Sequence, residues 1–202
     1  TDILVVTGKE HMGEIVRLLG SGSDFNCNFT FRVQERAGGI ADALSLAEVF
    51  AHGERIVVIL GDNILTHSIA GYVNEFMKQP DGARVLLKRV GDPERFGVAA
   101  LDELNKMILQ IEEKPESPKS NYAVIGVYMY DNRVFDIIRK ITPSERGELE
   151  ITSVNNWYVE HNAMTYDIVQ GEWTDAGTFE SLMYANQLMF SINNTIQNGD
   201  TR

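Results

Sequence analysis

The chain has 202 residues, 44% apolar and 23% charged, which is enough for one sizeable domain with its own core and too apolar for a disordered segment. Its 18 Lys and Arg against 29 Asp and Glu give a net charge of −11, which speaks against a nucleic-acid backbone or an anionic membrane surface as partner. A lone cysteine, Cys27, cannot close an internal disulfide, and no signal peptide or membrane-spanning run is evident, so a cytoplasmic setting is expected.

Ile3-Leu4-Val5-Val6, closed by Thr7-Gly8, is a continuous apolar run that predicts a buried parallel strand. Met12, Ile15, Val16 and Leu19 follow at helical spacing, and Gly20-Ser21-Gly22-Ser23 stops that helix. Phe29, Phe31 and Val33 alternate with polar residues, as in a half-buried strand. A Gly38-Gly39 loop then leads into a helix predicted from Ile40, Ala43, Leu44, Ala47, Phe50 and Ala51. Gln34 offers both a donor and an acceptor, which suits the edge of a pyrimidine base, and the glycines let a flat base approach the backbone; a plain glycine-rich loop reads the same way.

Residues 56–60 form the clearest buried strand and end in Gly61-Asp62-Asn63. Ligands of open parallel sheets bind at the carboxyl ends of strands, so Asp62 is a candidate site residue, with an Asx turn or a helix cap as the alternative. Ile69, Val73, Phe76 and Met77 predict a helix, and Val85-Leu86-Leu87 a strand. This alternation means a parallel sheet with right-handed crossovers. Beyond Val90 the rhythm changes: 97–101 and 107–111 read as paired strands and 122–130 as a long strand. Helices near 133–141 and 151–161, a strand at 164–169 and a closing helix over 179–196 complete the chain, with a frayed polar tail at 193–202. With no repeat and no linker, residues 1–202 read as a single domain.

Two further segments can carry chemistry. Trp173-Thr174-Asp175-Ala176-Gly177-Thr178 places a second aspartate between a strand and a helix; Asp175 either caps that helix or meets Asp62 across the site, where two carboxylates can hold Mg²⁺. The shared ion requires the carboxylates to lie within roughly 6 Å of each other. Gln110-Ile111-Glu112-Glu113-Lys114-Pro115 puts a carboxylate and an ammonium at a strand end, either to contact sugar hydroxyls and phosphate or as a surface ion pair.

Taken in order, these motifs resemble the bacterial and archaeal sugar-1-phosphate nucleotidylyltransferases, and among them the glucose-1-phosphate thymidylyltransferases. The likeness runs from Ile3 to about Gln187 through Leu60-Gly61-Asp62-Asn63, Asp92-Pro93-Glu94-Arg95-Phe96-Gly97-Val98, Glu112-Glu113-Lys114-Pro115, Arg146-Gly147-Glu148-Leu149-Glu150-Ile151-Thr152 and Trp173-x-Asp175-x-Gly177-Thr178. It implies an α/β fold with a Rossmann-like, mostly parallel sheet flanked by helices, of the nucleotide-diphospho-sugar transferase type. It implies Asp62 and Asp175 as magnesium ligands, and with Lys114 as the catalytic residues. It places Gln34 and Gly39 at the base, Gly97, Glu113, Lys114 and Val124 at the sugar phosphate and Arg146 near that pocket, with Asn63 and Trp173 also among the substrate-binding residues.

The implied reaction joins a nucleoside triphosphate, dTTP ahead of UTP, to a sugar 1-phosphate such as glucose 1-phosphate and releases pyrophosphate. The family's first strand, Gly-x-Gly-Thr-Arg-Leu loop and downstream Pro-Lys have no counterpart before Thr1, so a longer parent carrying that loop is expected, and the 202 residues alone are expected to be inactive. A non-catalytic sugar-nucleotide-binding or regulatory module is the competing function, and a homo-oligomer is left open.

Overall fold

The computed structural model describes the backbone of residues 1–199 and side chains through residue 191. In chain order the elements are β1 (Asp2–Gly8), α1 (Met12–Leu19), β2 (Asn28–Gln34), α2 (Ile40–Ser45), α3 (Glu48–Ala51), β3 (Ile56–Ile59), β4 (Asn63–Leu65), α4 (Ala70–Lys78) and β5 (Ala83–Arg89). They continue with β6 (Gly97–Asp102), β7 (Met107–Glu113), β8 (Tyr122–Tyr130), α5 (Val134–Ile138), α6 (Ile151–Glu160), β9 (Met164–Ile168), β10 (Trp173–Asp175) and α7 (Phe179–Gly199). Of the tail expected at 193–202, the backbone is helical to Gly199, and residues 200–202 lie outside the described residues. No helix among the described residues is long and apolar enough to cross a membrane.

The chain divides into two compact units, Thr1–Ile56 with Tyr130–Asn162, and Val57–Met129 with Ala163–Arg202. Two of the crossings fall inside the strands β3 and β8, so no loop-like or Gly/Pro-rich stretch marks them in the sequence.

In the first unit β1 and β2 pair in parallel, from Asp2 opposite Asn28 to Gly8 opposite Gln34. The apolar run of β1 is half-buried where full burial was expected, because its sheet has only the two strands. The helix expected over 40–51 is broken at Leu46-Ala47, whose N–H groups donate to carbonyls three residues back, Ala43 at 3.2 Å and Leu44 at 2.9 Å. Ala41 and Leu44 of α2, the apolar face of α5, and Ile151, Val154 and Tyr158 of α6 are buried. Within this unit the Tyr130 hydroxyl donates to Asn155 Oδ1 at 2.6 Å, and the Tyr158 hydroxyl to Asp131 Oδ1 at 2.8 Å, so these two buried hydroxyls are satisfied.

The second unit is built on a six-stranded sheet in the order β7-β6-β8-β5-β9, with β3 also paired to β8. The sheet is mixed: β5 and β9 run parallel, while β6 is antiparallel to both β7 and β8. Strand β8 is buried along almost its whole length, which is why it reads as a continuous apolar run. Phe76, Leu86, Ile125, Val127, Met129, Val169 and Trp173 form one buried cluster, each such side chain contributing roughly 1.5–3 kcal/mol of burial. A separate antiparallel pair, β4 with β10, registers Asp175 against Asn63 and Trp173 against Leu65. The sequence does not announce β4, since three residues are too few to show a period.

Candidate functional site

The two candidate aspartates meet in the second unit. Asp62 ends the turn after β3, and Asp175 ends β10. Their backbones are joined directly, Ala176 N–H donating to the Asp62 carbonyl at 2.7 Å. A β-carbon placed on Gly177 would lie 3.2 Å from Asp175 Oδ2 and 3.5 Å from Asp62 Oδ2. The two carboxylate oxygens are therefore no more than about 7 Å apart and face one small space; a single ion with ~2.0–2.1 Å bonds would hold them within about 4 Å of each other. The cap of α7 is supplied by Thr178, whose Oγ1 accepts from Ser181 N–H at 3.1 Å while Thr178 N–H donates to Ser181 Oγ at 3.0 Å. Among the described residues no group of three or more His, Cys, Asp and Glu gathers as a metal cage, so this pair would leave most of a cation's shell to water and phosphate oxygens.

Asn63 ties the turn to the sheet. Its Oδ1 accepts from Trp173 Nε1 at 2.7 Å and from Gly126 N–H at 3.0 Å, and its Nδ2 donates to Asp62 Oδ1 at 2.8 Å. Gly126 is required for this approach, since a β-carbon there would lie 2.5 Å from Asn63 Nδ2. Trp173 is buried and packs edge-on against Phe96, ring centroids 5.3 Å apart. Arg95, in the short 3-10 turn Pro93–Arg95, donates from Nη2 to Asp175 Oδ2 at 3.2 Å and from Nη1 to Asp92 Oδ2 at 2.8 Å. Asp92 above all, with Asp175, raises the guanidinium's pKa further above its ordinary value.

Three of the sugar-phosphate candidates line up in one row across neighbouring strands: Gly97 of β6 is registered with Glu113 of β7 on one side and with Val124 of β8 on the other. Lys114 follows with a positive φ of 43° and donates its N–H to the Phe96 carbonyl at 3.0 Å, a strained backbone position next to Glu113. Tyr128, on the same strand as Val124, has its phenol pushed well above the ordinary value, by burial first and then by the carboxylates of Glu113 and Asp62.

The remaining candidates lie in the first unit. Gln34 Nε2 donates to the Gly39 carbonyl at 3.1 Å and to Asp42 Oδ2 at 2.7 Å. Gly39 has a φ of 95°, and a β-carbon there would stand 2.5 Å from the Leu149 carbonyl oxygen. That tight approach is locked by Leu149 N–H donating to the Gly38 carbonyl at 2.7 Å and Ala41 N–H to the Leu149 carbonyl at 3.1 Å. Arg146 donates to Glu150 Oε1 at 2.8 Å.

Reading residue by residue passes over Arg95 and Gly177, and takes Gly126 only as leaving space beside a neighbouring strand. Arg95 carries a signal, the Asp92–Arg95 spacing of three, but one that reads as a surface pair; the glycines show their purpose only when partners distant in sequence are in place.

The nucleotidyl transferase family matches residues 1–191. The glucose-1-phosphate thymidylyltransferase of Neisseria meningitidis is 40% identical over 200 residues, covering 98% of this chain and 69% of that protein. A low-salt glycan biosynthesis nucleotidyltransferase of Haloferax volcanii is 38% identical over 94% of this chain and 53% of its own length. A Bacillus anthracis structure provisionally assigned as a glucose-1-phosphate thymidylyltransferase, solved with sucrose, superposes with a TM-score of 0.88 at 57% identity, covering 93% of this chain and 76% of that one. A UDP-glucose pyrophosphorylase bound to UDP-glucose has a TM-score of 0.81 at 22% identity, covering 94% and 81% of the two chains, a likeness of fold alone. With residues 1–191 matched, the chain belongs to the nucleotidyl transferase family.

Proposed function

We propose that this chain, carried in an intact enzyme with the Gly-x-Gly-Thr-Arg-Leu loop, transfers a thymidylyl group from dTTP to glucose 1-phosphate and releases pyrophosphate. The observation that carries the reading is the approach of Asp62 and Asp175 across Gly177, in the same unit as the Gly97, Glu113 and Val124 row. The thymidylyltransferase relatives support the choice of substrates.

The donor set fits Mg²⁺: two hard carboxylate oxygens face a gap that a β-carbon would fill, and water and phosphate complete the shell. Asp62 and Asp175 would hold the ion, which when bound offsets charge on the phosphates. A phosphate oxygen of the sugar phosphate forms a bond to the α-phosphorus, and the bond from that phosphorus to the pyrophosphate oxygen breaks. Lys114 presents a point charge to the sugar phosphate, and Glu113 accepts hydrogen bonds from sugar hydroxyls and so fixes its orientation. Asn63 and Trp173 position Asp62 from behind.

Gln34 supports the base preference. Its amide nitrogen is taken by Gly39 and Asp42, so the atom it turns to a base is the acceptor Oε1. Thymine and uracil present a donor N3–H there, whereas cytosine presents an acceptor.

The test is pyrophosphate release from dTTP and glucose 1-phosphate, with UTP and dCTP alongside, by such an intact enzyme and by the 202 residues alone, which are expected to be inactive. Turnover by the intact enzyme with dTTP, less with UTP and at least ~10²-fold less with dCTP is expected. Tight binding of dTDP-glucose without any pyrophosphate release would make the chain a binding module instead.

A further inference from the structure

We propose that Arg95 is the internal counter-ion of the carboxylate pair, competing with a divalent cation for Asp175; this rests on the reading of Asp62 and Asp175 as the cation-holding residues. The competition is at one atom. Asp175 Oδ2 is the oxygen that faces the space shared with Asp62, 3.2 Å from the β-carbon position of Gly177, and it is also the oxygen that accepts from Arg95 Nη2 at 3.2 Å. The same Nη2 lies 3.4 Å from Asp175 Oδ1, so the guanidinium covers both oxygens of this carboxylate.

With no cation present, Arg95 relieves the repulsion between two carboxylates that face one gap. A divalent ion entering the gap meets a fixed positive charge on the oxygen it needs, and Asp175 cannot serve both fully. Arg95 has a second place to go: Nη1 is already bonded to Asp92 Oδ2 at 2.8 Å. Its stem is held in the 3-10 turn Pro93–Arg95, with the guanidinium 5.0 Å from the centre of the Phe96 ring. Release therefore requires a side-chain rotation toward Asp92 and no backbone movement. Arg95 is a positioning residue in this scheme: it keeps Asp175 aimed at the site when the ion is absent and yields when the ion arrives.

The test is Mn²⁺ binding to the full chain, read from the electron paramagnetic resonance signal of free Mn²⁺ with no substrate present. Wild type, Asp175→Asn, Arg95→Gln, Arg95→Lys and Lys78→Gln are compared. Lys78 is an exposed cation of α4 paired with Glu75, and Lys78→Gln changes net charge as Arg95→Gln does. Arg95→Gln should bind Mn²⁺ about fivefold more tightly, the scale set by a partly exposed ion pair, and Asp175→Asn should lose at least ~10-fold. Arg95→Lys, with a point charge that covers one oxygen only, should fall between wild type and Arg95→Gln, and it keeps the test open if Arg95→Gln unfolds. Lys78→Gln should match wild type.

Loss of binding in Asp175→Asn with unchanged or weaker binding in Arg95→Gln would overturn the role of Arg95 and leave the carboxylate pair as the cation site. Equal tightening in Arg95→Gln and Lys78→Gln would also overturn it, as a general charge effect. No Mn²⁺ binding by wild type, or normal binding by Asp175→Asn, would remove the cation reading and this inference together.

Discussion

Asn63→Asp is the substitution that isolates the contact behind Asp62. It keeps the size of the side chain and the oxygen that accepts from Trp173 Nε1 and Gly126 N–H, and it replaces the NH₂ that donates to Asp62 Oδ1 at 2.8 Å by a carboxylate oxygen. The lost hydrogen bond costs about 1 kcal/mol. Two carboxylates at that separation share a proton, which raises the pair's apparent pKa. Asp62 is exposed, so solvent screening keeps the repulsion to about 1 kcal/mol. A carboxylate pair with a folded pKa above its unfolded value destabilises the protein above the folded pKa, and the penalty is relieved as pH falls through it. The variant should therefore be less stable than wild type by roughly 2 kcal/mol at about pH 8, and the deficit should shrink to about 1 kcal/mol only as pH falls below the unfolded carboxylate range, to about pH 3. Urea denaturation of both proteins at the two pH values, in EDTA, measures this. A deficit of equal size at both, or none at the higher pH, would refute the Asn63–Asp62 contact.

Gly177→Ala puts a methyl group between the carboxylates, 3.2 Å from Asp175 Oδ2 and 3.5 Å from Asp62 Oδ2, and leaves both aspartates in place, so Mn²⁺ affinity should fall at least ~10-fold while stability from urea denaturation stays within about 1 kcal/mol of wild type. Gly39→Ala forces a side chain into a φ of 95° and against the Leu149 carbonyl; urea denaturation should show a loss of roughly 1–3 kcal/mol. Tyr158→Phe removes the hydroxyl donor to buried Asp131 and should cost about 1–3 kcal/mol by the same measurement. Tyr128 is neutral in the fold with its pKa raised, so its contribution to stability is intact below the ordinary value of 10.0 and is lost as pH rises beyond it; denaturation midpoints of wild type should fall more steeply there than those of Tyr128→Phe.

Much of the architecture is legible from periodicity. Strand β3 with its Gly61-Asp62-Asn63 end and the continuous apolar β8 announce themselves, and strand ends direct attention to Asp62 and Asp175. What sequence spacing cannot show is which residues meet. Gly97, Glu113 and Val124 become one row only through strand register. Asp175 satisfies the rules for a helix cap as well as for a ligand, and only the presence of Thr178 in the capping role separates the two. Arg95 looks like half of a surface pair until the fold carries Asp175 to it from 80 residues away. The break between α2 and α3 is invisible because Leu46 and Ala47 are good helix formers.

The most direct test is a crystal of the protein grown with dTDP-glucose and Mn²⁺, with anomalous differences collected for the metal. One Mn²⁺ peak bonded to Asp62, Asp175 and a phosphate oxygen, with a sugar hydroxyl on Glu113, is the expected result. A nucleotide-sugar seated away from Glu113, or a metal that touches neither aspartate, would contradict the assignment of this site.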